Sequence, residues 1–105
     1  MQVPEQVRQE LSRWCAARIP DAERERRRVG FTIQGSDVTI SDRRAPTYPE
    51  LGAEWTTTPL ARLRLGEDGR WELLRPGRHG GWETEDAGPD PLVLLERVSV
   101  GQAPA

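Results

Sequence analysis

The spacing of apolar residues changes along the chain, and each change marks an element. Val7, Leu11, Trp14 and Cys15 recur at three- and four-residue intervals, with Arg18 closing the same stripe. That period predicts an amphipathic helix over Pro4–Arg18; Pro4 suits its first turn and Pro20 stops it. Asp21–Arg27 is a charged connector with room for one more helical turn. Val29, Phe31 and Ile33 then alternate with polar residues, as do Val38 and Ile40. A two-residue loop at Gly35-Ser36 pairs Ile33 with Val38 and Phe31 with Ile40, which puts both apolar sets on one face. Glycine at the first loop position is what a type II′ turn requires. Arg44–Pro59 carries Pro46, Pro49 and Pro59 and reads as a long loop pinned by Tyr48, Leu51 and Trp55. Loops of that length in small domains are often functional.

A second hairpin runs from Leu60 to about Arg75. A three-residue loop, Glu67-Asp68-Gly69, with Gly69 in the left-handed position, pairs Leu65 with Trp71 and Leu63 with Leu73. The same register sets Arg64 opposite Glu72 on the other face. A slip of one residue would bring Leu63 against Glu72, so the register is well specified. Pro76–Gly81 is a turn, and Trp82–Glu85 a short fifth strand whose Glu83 and Glu85 suit a sheet edge. Asp90 caps a last helix, Leu92–Val98, which buries Leu92, Leu95 and Val98. The expected fold is α+β: an N-terminal helix, an antiparallel meander of four or five strands and a C-terminal helix, both helices on one sheet face. Residues 1–100 form one domain in this reading, and 101–105 a disordered tail.

Composition narrows the chemistry. All 15 basic residues of the 105 are arginine. The absence of lysine excludes Schiff-base chemistry and P-loop phosphate binding. A formal net charge of −2 gives no overall attraction to nucleic acid or to an anionic membrane. One cysteine allows no intrachain disulfide. The polar first ten residues do not read as a signal peptide, and no apolar run approaches the roughly 20 residues of a membrane span. The expected location is therefore the cytoplasm, without membrane association.

Several stretches in order carry a resemblance: Arg13-Trp14-Cys15-Ala16-Ala17-Arg18-Ile19-Pro20, Val38-Thr39-Ile40-Ser41-Asp42-Arg43-Arg44-Ala45-Pro46, Glu54-Trp55-Thr56, Leu60-Ala61-Arg62-Leu63-Arg64-Leu65 and Gly69-Arg70-Trp71-Glu72-Leu73. On these the chain, over roughly residues 13–74, resembles the bacterial domain of unknown function family 3024. Leu74-Arg75-Pro76 departs from the aromatic, Trp, Arg and Asp with which that family usually continues its fourth strand. The resemblance implies no activity and no catalytic residue.

The candidate chemistry is sparse. Cys15 and His79 are too few for a structural zinc site, which takes about four such ligands; Cys15 lies on the buried helix stripe and His79 in a glycine-rich turn. Thr56-Thr57-Thr58 has hydroxyls but no neighbouring base. The pairs Asp86/Asp90 and Glu83/Glu85 read as solvated edges. No catalytic residue, metal site or cofactor is expected. An enzyme would need a pocket where Asp42, Glu54 or His79 converges with an arginine.

The arginines of the sheet are the most informative residues. Both registers put Arg28, Arg43, Arg62 and Arg64 on the face away from the core, beside Thr32, Thr39 and Ser41. Arginine binds carboxylate and phosphate bidentately, so this face suits an acidic partner or a nucleic-acid backbone. The same residues also fit a plain solvent face with cross-strand Arg–Glu pairs such as Arg64–Glu72. Trp14 and Trp71 fall at core positions, whereas an exposed Trp55 would anchor an interface. The expected function is a small non-enzymatic binding protein. It engages a protein partner through the Arg/Thr face and the 44–59 loop, with Trp55 and Tyr48 as anchors and Arg28, Arg43, Arg62 and Arg64 as charge. Binding of nucleic acid by the same face is the alternative.

Overall fold

A computed structural model of the chain describes residues 2–46, 48 and 54–98. Helix α1 spans Glu5–Arg18 and is followed by a 3-10 turn, Asp21–Glu23. Five strands come next: β1 Arg27–Gln34, β2 Asp37–Arg44, β3 Thr56–Leu65, β4 Trp71–Pro76 and β5 Trp82–Gly88. Helix α2, Pro91–Leu95, ends the order. The strands lie in one antiparallel sheet in sequence order, β1 to β5. The α1 helix rests on β1, α2 rests on β4 and β5, and the two helices touch each other. Both therefore cover the same face, as the period of the sequence predicts.

The two hairpins fold in the predicted registers. Ile33 faces Val38 and Phe31 faces Ile40, across a loop whose Gly35 has a φ of 62°. Leu63 faces Leu73, Leu65 faces Trp71 and Arg64 faces Glu72, across a loop whose Gly69 has a φ of 81°. Such φ values strain any residue with a Cβ, so the two glycines fix where each hairpin turns. Leu11, Val38, Ile40, Leu63, Leu73 and Leu95 form the fully buried centre of the core. Around them pack Val3, Cys15, Ile19, Trp71 and Leu94. Burial pushes the Cys15 thiol up to about 11, with Arg18 opposing the shift only in part, so the residue serves as a small apolar filler.

Three segments differ from expectation. The long loop is shorter, because Thr56–Pro59 extend β3 and pair with Ser41–Arg44 of β2. Pro59 is tolerated there because β4 pairs only with Arg62–Leu65, which leaves the start of β3 with one neighbour. Tyr48 does not pin the loop; it is 61% exposed. Leu51 and the 101–105 tail lie outside the described residues. Strand β5 runs to Gly88 rather than Glu85. Its pairing with β4 is made by the backbone, which the low strand propensity of Glu83, Glu85 and Asp86 does not prevent. Helix α2 starts one residue earlier and ends sooner, burying Pro91, Leu94 and Leu95, while Leu92 is half-buried and Val98 is buried beyond the helix.

Candidate functional site

The strand pairings arrange the outer face, away from the helices, in rows. One row reads Gln34, Asp37, Arg64, Glu72 and Ala87 across the five strands. The next reads Thr32, Thr39, Arg62, Leu74 and Thr84. At the far end of β1 and β2, Arg28, Arg43 and Thr57 share a row. All four arginines assigned to this face by alternation are on it.

Their surroundings differ. Arg64 is already matched: its Nε donates to Asp37 Oδ1 at 2.9 Å. That hydrogen bond and the Asp37 charge, with a smaller push from Glu72, hold the guanidinium above its ordinary range. The carboxylate that engages Arg64 is thus Asp37 rather than the expected Glu72. Arg62 lies over the Trp82 ring, with Cζ 4.4 Å from the centroid, and donates from Nε to Thr39 Oγ1 at 3.3 Å. Leu74 shares that row and is buried, although it is no part of the helix-covered core. A β-bulge between Leu73 and Leu74 sets Asp86 and Thr84 opposite them and leaves Glu85 out of the ladder.

The remaining pair is organised around Trp55. Arg28 and Arg43 are direct cross-strand neighbours, and both guanidinium carbons stand over the half-buried Trp55 ring, at 5.3 and 5.8 Å. A tryptophan face attracts a cation electrostatically, and here one ring holds two like charges on adjacent strands. Among the described residues no carboxylate lies within salt-bridge distance of Arg28 or Arg43. Arg28 Nε donates to the Arg24 backbone carbonyl at 3.0 Å, which fixes its stem and leaves its terminal nitrogens for other acceptors. Beside this cluster a depression of about 260 Å³ opens among Gly30, Phe31, Thr32, Ser41, Arg43 and Thr57. It exists because Gly30 has no side chain; a Cβ there would meet nothing within 4 Å. Of the six residues singled out from the sequence, Arg28, Arg43 and Trp55 are brought together. Arg62 and Arg64 stand in separate rows of the same face, and Tyr48 is exposed on the loop after β2.

An ion pair on the opposite face escaped the sequence reading. Arg27 and Asp42 are only 6% and 7% exposed, and Arg27 grips Asp42 with two hydrogen bonds, Nε to Oδ1 at 3.1 Å and Nη2 to Oδ2 at 3.3 Å. Arg44 Nε adds a third, to Oδ2 at 3.3 Å. Alternation contained the signal: Arg27 has the parity of Val29 and Asp42 that of Ile40. Asp42 thus meets arginines as a closed, salt-bridged carboxylate, and it is not among the described residues that line the outer-face depression. Glu54 and His79 are exposed. Among the described residues no three His, Cys, Asp or Glu cluster at metal-binding distance, and no helix is long and apolar enough to cross a membrane.

Comparison with curated proteins and with solved structures finds no match. The family model described as domain of unknown function (DUF3024) matches residues 2–103, nearly the whole chain, and the chain therefore belongs to that family.

Proposed function

We propose that the chain is a non-enzymatic binding module whose outer sheet face holds an acidic segment of a protein partner between Arg28 and Arg43, with Trp55 as the apolar floor. One observation carries this reading: two adjacent arginines share a tryptophan and have no carboxylate of the described residues in reach. Tryptophan and arginine are the residue types that most often dominate binding energy. Charge-assisted bonds from arginine to carboxylate are stronger than neutral ones. Arg62 and Arg64 extend the positive face, but each has a partner to give up first, Trp82 and Asp37. Tyr48, on the loop after β2, adds exposed aromatic surface. The net charge of −2 favours a local acidic contact over a polyanion, because a nucleic-acid backbone would meet the repulsion of the whole molecule.

Titration of a fluorescein-labelled glutamate-rich peptide, followed by anisotropy, tests the reading. Replacing Arg28 and Arg43 by alanine together should weaken binding at least ten-fold, on the order of 1.4 kcal/mol. Arg64→Ala should change it far less. Binding that is indifferent to both variants, or tighter binding of single- or double-stranded DNA or RNA with a steep loss in salt, would replace this partner class with another.

A further inference from the structure

We infer that the free edge of β1 is a strand-addition site for an extended peptide in which acidic and apolar residues alternate. This rests on the binding reading above and adds how the partner is held. The two edges of the sheet are unlike. The β5 edge carries Glu83, Glu85 and Asp86 and is broken by a bulge, devices that discourage pairing with another chain. The β1 edge is eight residues long and has no proline, no carboxylate and no bulge. Its free backbone groups can be identified. The two-residue turn makes Gln34 and Asp37 a hydrogen-bonded pair, and Ala45 N donating to Arg26 O at 2.8 Å shows the same parity at the other end. Residues of even number therefore bond to β2, and the N–H and C=O groups of Val29, Phe31 and Ile33 point outward. None of the described backbone groups bonds to them from that side.

The space beside this edge has the shape that an added strand needs. A groove of about 560 Å³ lies between α1 and β1. Its floor is apolar, made by Cys15, Ala16, Ile19 and Phe31, while Arg24 and Arg28 stand at its rim, and no carboxylate among the described residues lines it. The outer-face depression shares Gly30 and Phe31 with this groove. Side chains of a sixth strand would alternate between the two sides of the sheet. One set enters the apolar groove beneath α1; the other passes the bare Gly30 backbone and meets Arg28 and Arg43. Main-chain bonds to the edge supply affinity, and the alternation supplies specificity.

Two blocked-terminus peptides of equal composition and charge separate this inference from the reading beneath it: an alternating Glu-Val-Glu-Val-Glu-Val-Glu and a segregated Glu-Glu-Glu-Glu-Val-Val-Val. The alternating peptide should bind about ten-fold more tightly. It should also slow hydrogen exchange at the amides of Val29, Phe31 and Ile33. Ala16 is exposed on α1, so Ala16→Trp should leave the fold intact, obstruct the groove and erase the preference. Equal binding of both peptides, with no change at the three amides, would overturn strand addition. If that binding still depended on Arg28 and Arg43, the outer-face reading would survive. Protection of the same amides that grows with protein concentration, without peptide, would assign the edge to a second copy and overturn the inference as well.

Discussion

A single carboxylate, Asp42, is the point where burial and charge conflict most sharply. It stands on the core side of β2 with Arg27 as its buried partner. Taking two ions out of water is costly, and only the two bonds from Arg27 and the third from Arg44 offset that cost. Asp42→Ala should therefore lower the unfolding free energy by about 3–5 kcal/mol, because it strands the Arg27 charge in the interior. Exchanging both partners for apolar residues, Arg27→Met with Asp42→Leu, should recover most of that loss. Urea denaturation of the single and double variants distinguishes the two outcomes. The period that identified Val29 and Ile40 as core residues extends to Arg27 and Asp42. Residue type, read alone, sends an arginine to the surface, and only the diagonal neighbour on β2, Asp42, reveals that its charge is matched. Arg28, Arg43 and Trp55 show the converse limit. The face of the two arginines was legible from alternation, but their meeting with Trp55 depends on where the 44–56 connection returns the chain, which no local pattern encodes.

Elements were legible wherever a backbone requirement coincided with a residue that meets it. Gly35 and Gly69 adopt positive φ at the tips of the two hairpins, and the pairing of Phe31 with Ile40 and of Leu63 with Leu73 follows from those two turns. The bulges were not legible. One slips the register between Ile40 and Ser41 and turns Leu60 toward the core; the other leaves Glu85 unpaired between Leu73 and Leu74. Neither position carries a residue type that announces an extra residue in the ladder. Helix α2 is only five residues long, too short to persist on its own propensity. It depends on its cap, where Asp90 Oδ1 accepts from the Leu92 N–H at 2.9 Å, and on Leu94 and Leu95 in the core. Asp90→Ala should cost about 1 kcal/mol of stability, read from the shift in denaturation midpoint. Hydrogen exchange should quicken first at α2 and leave β2 and β3 protected.

At the scale of the whole molecule the meander leaves two sheet edges, and only one is defended. Glu83 and Glu85 repel a strand approaching β5, while β1 has no such charge. Replacing both with valine should convert a clear solution into one whose light scattering rises with protein concentration, and adding the alternating peptide should suppress that rise by occupying β1. Unchanged scattering would show that the bulge alone guards β5. Because only the β1 edge lacks such charges and a bulge, any edge-to-edge meeting of native copies is confined to one arrangement, β1 against β1. That contact uses up both acceptors and closes on itself, so growth stops at two and no filament can propagate.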